Sequence, residues 1–167
     1  MEEYHRLKIM AFIELENSQQ AWGEFKDALP STEDQTIDDL DILIAWLNTA
    51  IELEKWGEIS KIQNYIRKVS KTIIEEEELS ILKSRLIEEV ESYMYVACYR
   101  EADIFMQILN KIDQKDMYIK EHRKQIQGVA KLDIELSRAM KDQEMFPYVS
   151  VKMMKLYLDK YASPEYQ

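Results

Sequence analysis

Ile9-Met10-Ala11-Phe12-Ile13, with Trp22-Gly23-Glu24 nine residues beyond it, is the stretch from which the fold is read. Leu43-Ile44-Ala45-Trp46-Leu47 and Trp56-Gly57-Glu58 repeat its pattern with the same internal spacing. The interval between the two copies, about 34 residues, is the period of a helix-turn-helix solenoid unit. In this register Gly23 and Gly57 stand near the start of each second helix, where a missing side chain permits close crossing of the partner. Trp22 and Trp56 then fill the corners of two hairpins as packing residues.

Working outward, the apolar spacing predicts a first helix over about 4–16, with Leu7, Met10, Ala11, Phe12 and Ile13 as its stripe, then a turn and cap at Asn17-Ser18. A second helix over 19–28 stops at Pro30, and Pro30–Gln35 reads as a loop. Thr36 and Asp39 open a third helix, predicted over 37–54. The fourth begins near Trp56, with Ile59, Ile62, Ile66, Val69 and Ile73 as a narrow seam. Thr72 before Glu75-Glu76-Glu77-Glu78 reads as the cap of a fifth helix that reaches Ala97 and turns Leu82, Leu86, Val90, Tyr93, Met94 and Ala97 inward. A sixth starts near Tyr99 and buries Ala102, Phe105, Met106, Leu109 and Ile112; a seventh covers 117–140, with Gly128 as a point of bending or close crossing; an eighth follows Pro147.

The expectation is an all-α protein of about eight helices in antiparallel hairpins, 4–29, 36–70, 73–112 and 117–161, within one domain over 1–167. A tetratricopeptide-like solenoid is the favoured arrangement and a closed helical bundle the alternative. Three glycines and three prolines among 167 residues leave few helix breakers, which supports this class. A chain of this length buries about 70% of the surface it exposes when unfolded, enough for a core without covalent staples.

The pattern resembles the tetratricopeptide class of α-solenoids, most clearly over 8–62 and more loosely to 112, where Tyr99-Arg100-Glu101-Ala102 is similar to the start of such a repeat's second helix. It is also similar to the helical sensor domains of peptide-responsive bacterial regulators of the Rap, PlcR and Rgg type. That resemblance implies peptide binding on a concave face through side-chain amides. No helix-turn-helix DNA-binding segment precedes these helices, so the expectation is a module rather than a whole regulator of that type.

Charge and chemistry narrow the functional classes. Residues 1–54 carry 13 acidic and 3 basic side chains, while 55–167 carry 19 of each, so the net charge of −10 lies on the first third. Such a surface repels a phosphate backbone, and no nucleic-acid partner is expected. One cysteine, Cys98, rules out an intramolecular disulfide and a multi-cysteine zinc site, and is read as an inert thiol in a reducing cytoplasm. No apolar run approaches a membrane span, and the acidic opening Met1–His5 lacks a secretion signal, so neither membrane insertion nor export is expected. Only Glu2 and His5 have Glu-x-x-His spacing, two histidines cannot furnish a zinc or di-iron set, and isolated glycines form no phosphate loop. The expectation is therefore no metal, no cofactor and no enzyme activity.

Amides both donate to and accept from a peptide backbone, which makes Asn48, Asn64 and Asn110, with Tyr95, the candidate partner-binding residues. Gln63 and Gln107 are further amides of this kind. Tyr148, Met153, Met154, Tyr157 and Tyr161 point in more directions than one stripe can bury and are read as a homodimer interface. The expected function is a non-catalytic regulatory module that binds a peptide or protein segment in a helical groove. The alternative is a small acidic interference protein, of phage or plasmid kind, that mimics nucleic-acid charge through Glu33, Asp34, Asp38, Asp39 and Asp41.

Overall fold

Among the residues described by the computed structural model, 3–28 and 40–141, the chain is all-α, with seven helices and no strand. These are α1 (Glu3–Glu14), α2 (Ser18–Ala28), α3 (Leu40–Glu52), α4 (Trp56–Thr72), α5 (Glu76–Tyr95), α6 (Tyr99–Ile112) and α7 (Met117–Lys141). The predicted eighth helix, the loop 30–35 and the proposed dimer residues Tyr148, Met153, Met154, Tyr157 and Tyr161 lie outside the described residues. Contacts group the chain into two compact units, Met1–Lys83 and Ser84–Gln167, the division falling within α5.

Three corners share one backbone geometry. Glu16, Glu54 and Ala97 have φ of 53°, 53° and 60°, the left-handed region that ends a helix. At the first, the Glu16 N–H donates to the Ile13 carbonyl (3.0 Å) and the Asn17 N–H to that of Phe12 (2.8 Å). Glu54 and Lys55 make the same pair of bonds to Ile51 and Ala50, and Ala97 and Cys98 make it to Met94 and Tyr93. This paired closure satisfies helix-end carbonyls and turns the chain directly into the next helix. No glycine occupies any of these three corners; the left-handed residues are two glutamates and an alanine.

The corners define a register different from that of the Trp-Gly-Glu blocks. Buried residues stand seven before and five after each corner: Ile9 and Ala21 around Glu16, Leu47 and Ile59 around Glu54, Val90 and Ala102 around Ala97. The step from Glu16 to Glu54 is longer than the step from Trp22 to Trp56, and in that longer step Ile13-Glu14-Leu15-Glu16-Asn17 is matched by Ile51-Glu52-Leu53-Glu54-Lys55. The two Trp-Gly-Glu blocks are not equivalent: Trp22 is the fifth residue of α2 and is buried, whereas Trp56 is the first of α4 and is half-buried. Neither glycine marks a close crossing, since a Cβ added at Gly23 or Gly57 would meet nothing within 4 Å.

In the first unit, α1 packs on α2, α2 on α3, and α3 on α4. Phe25 stacks on Trp46 (6.4 Å between centroids) and Trp46 meets Tyr65 edge-on (5.7 Å), so one aromatic run links α2, α3 and α4. The α1 stripe centres on Ile9 rather than on Leu7 and Ala11, which are exposed. Asn17, not Ser18, caps α2: its Oδ1 accepts from the Gln20 N–H (3.3 Å), while Ser18 is already helical and donates to Glu52 Oε2 (2.5 Å) at the end of α3.

In the second unit α6 lies against α7 in an antiparallel register. Asp133 Oδ2 accepts from the Arg100 N–H (3.4 Å) at one end, and Asn110 Oδ1 accepts from Arg123 Nη1 (2.8 Å) at the other. Phe105 stacks on Tyr93 of α5 at 5.8 Å. Asp116 caps α7 through the Tyr118 N–H (2.9 Å), and α7 continues as helix through Gly128.

Candidate functional site

An apolar recess lies within the first unit, where three helix ends converge. The start of α3 contributes Leu40 and Leu43, the end of α4 Val69, Thr72 and Ile73, and the start of α5 Glu78, Ile81 and Leu82. Together they line a recess of about 480 Å³, within the range of small-ligand and side-chain pockets.

Local chemistry explains why the chain breaks there. Ile73 leaves the helix with extended dihedrals (φ −77°, ψ 117°). Its N–H still donates to the Ser70 carbonyl at 3.3 Å. Thr72 is the last residue of α4 and not the cap of α5; its hydroxyl donates back to the Val69 carbonyl (2.7 Å). The Glu75 carbonyl accepts the first bond of α5, from the Leu79 N–H (3.1 Å). Glu76, Glu77 and Glu78 then occupy the first turn, where the exposed amides favour negative charge.

The described lining of the recess has one ionisable group. Ser70 donates to the Arg67 carbonyl (2.7 Å), so the hydroxyls of Ser70 and Thr72 are both spent on their own helix. Glu78 is the only charged residue in a described lining otherwise apolar apart from Thr72. At its edge Ile81 is 54% exposed, and Ile74, in the link between α4 and α5, is 94% exposed. A mostly apolar wall with a single carboxylate is suited to receiving an apolar side chain, and the described lining carries no nucleophile paired with a base.

None of the four residues selected from the sequence lines this recess. Asn48 is half-buried on α3 and Asn64 exposed on α4. Tyr95, at the end of α5, is 92% exposed beside Glu88, Glu91 and Ser92. Asn110 is half-buried on α6 with its Oδ1 engaged by Arg123, which gives that oxygen a structural role in the α6–α7 pair. Of the further amides, Gln107 is likewise engaged, its Nε2 donating to Asp103 Oδ2 at 2.8 Å. Amide content says nothing about where helix ends meet, and the described lining of the recess contains no amide side chain. The available signal was Ile73-Ile74 beside Glu75–Glu78, two β-branched apolar residues at a helix break.

Elsewhere the shifted ionisable groups have local structural causes. Burial pushes the Cys98 thiol up, with the Glu101 and Asp133 carboxylates adding to it, so this helix-start thiol is held protonated. Burial raises the Asp103 carboxyl against the opposing Gln107 hydrogen bond. The Tyr118 phenol is pushed up to about 12 by burial and then by the Glu91 carboxylate. Among the described residues no three His, Cys, Asp or Glu side chains are grouped to hold a metal ion, and no helix is long and apolar enough to cross a membrane. Of the acids behind the charge-mimicry reading, Asp41 is exposed on α3, and Glu33, Asp34, Asp38 and Asp39 lie outside the described residues.

Comparisons with protein-family models, with curated proteins and with solved structures give no match, so the functional reading rests on the chain's own residues.

Proposed function

We propose that this chain is a non-catalytic interaction module that takes a peptide or protein segment into a groove between its helices. The observation that carries this reading is the apolar recess among α3, α4 and α5, with Ile81 left 54% exposed at its edge. Removing an inserted side chain and Ile81 together from water favours association by about 25 cal/mol per Å² of apolar area, before ordering costs are subtracted. Within the first unit the corners at Glu16 and Glu54 add support, because helical hairpins that stack leave grooves between them. A regulatory role and a relationship to tetratricopeptide-type sensors belong to the same proposal.

The test is selection of displayed helical peptides on the immobilised protein, with the Ile81→Asp variant as counter-screen. Ile81 is exposed enough for this change to leave the core filled, which circular dichroism checks. Peptides that enrich on the wild type and fall away on Ile81→Asp are the expected result. Enrichment that is absent, or identical on both proteins, would overturn the reading.

A further inference from the structure

We infer that the segment taken by the α3–α4–α5 recess is an amphipathic helix whose apolar anchor is flanked by lysine or arginine, an inference that rests on the groove reading above. Leu43, Val69, Ile73 and Leu82 give the recess an apolar wall, and Glu78 is the one charge within that described wall. Glu75, Glu76 and Glu77 stand exposed on the turns leading to it. Lys68 and Lys71 are exposed on α4, so the charge that an occupant's cation would meet within the wall is Glu78.

Helix-start electrostatics account for acids in the first turn of α5 as such. They do not require one of them to line an apolar recess, nor Ile74 and Ile81 to remain exposed on either side of the acidic run. An apolar anchor with acidic flanks would bring like charges together at the rim, whereas basic flanks neutralise it. The occupant's apolar positions recur at helical spacing, as in other helix-in-groove complexes. Its cations remain at the rim, where screening by salt acts on them.

The experiment uses the full chain and two displayed libraries of helical peptides about four turns long. Both carry the same randomised apolar stripe; one has Lys and Arg at its polar positions, the other Gln and Ser. Binders are measured by fluorescence anisotropy against wild type, against Ile81→Asp, and against a variant with Glu75, Glu76, Glu77 and Glu78 all changed to Gln. The expected result is that the basic library supplies the tighter binders, by about tenfold, and that raising salt from about 0.05 M to about 0.5 M or making the four-Gln variant removes that advantage. Ile81→Asp should abolish binding of both. Neutral peptides that match the basic ones and are unaffected by the four-Gln variant, yet are lost on Ile81→Asp, would overturn the basic-partner inference and leave the groove reading standing. Failure of both libraries would overturn both.

Discussion

The α1–α2 and α6–α7 hairpins are both antiparallel pairs but are held by different forces. Of α1 only Ile9 is fully buried, whereas α6 buries Ala102, Ile104, Phe105, Met106, Ile108 and Leu109, leaving little of its circumference to water. α1 also meets α2 at Glu24, whose carboxylate pairs with Lys8 and lies 3.4 Å from His5 Nδ1. Lys8 also lies over the rings of Tyr4 (5.8 Å) and Phe12 (6.0 Å). The same motif can thus be fastened by apolar burial or by a cluster of charge and rings. Apolar burial by itself offers no charge for pH or salt to act on, whereas the cluster responds to both.

Cutting the core separates the two hairpins most sharply. Phe105→Ala removes a fully buried ring together with its stacking on Tyr93, and should cost about 3–5 kcal/mol in chemical denaturation. Ile9→Ala should cost about 2–4 kcal/mol, with the loss confined to α1 in hydrogen exchange because no other residue of that helix is fully buried. Equal and global effects from both variants would erase the distinction.

Backbone strain gives a smaller effect that ignores the distinction. Glu16 closes a corner beside the weakly buried α1, and Ala97 closes the corner that leads into the well-buried α6, in the same left-handed conformation. Glu16→Gly and Ala97→Gly should therefore each stabilise by about 0.5–1 kcal/mol, read as a raised melting temperature. A gain at one corner and a loss at the other would mean that packing, not φ, controls them.

Titration gives the smallest effect. The Lys8 hydrogen bond, reinforced by His5 and opposed by burial, holds the Glu24 carboxyl below its ordinary value of 4.5. A lowered carboxyl contributes stability that is complete above the ordinary value and is lost as pH falls through the lowered one. Wild type should thus exceed Glu24→Gln in melting temperature at neutral pH, with the gap closing under acid. A gap that stays constant down to about pH 3 would remove Glu24 from the account.

Much of the local structure was legible in the residues. The scarcity of Gly and Pro signals helix, and α6 begins at Tyr99 and α4 at Trp56 as their periodicity implies. Leu82, Leu86 and Val90 are buried at the spacing that marks one helical face. The candidate site was not legible in this way. The chemistry of amides and phenols points to Asn48, Asn64, Tyr95 and Asn110, none of which lines the recess, and the Asn110 oxygen is engaged in the α6–α7 contact.

The all-helical class and most helix starts followed from the sequence by itself, because helical periodicity and breakers act over short stretches of chain. Only tertiary structure decided the register between hairpins: the match of Trp22 to Trp56 gives way to the longer step between corners closed at Glu16 and Glu54. Tertiary structure also decided that Ile73, Glu78 and Leu43 share one recess. The physical reason is common to both. Where a corner falls, and which helix ends meet, depends on which side chains leave water together, and that sum runs over residues far apart in the chain.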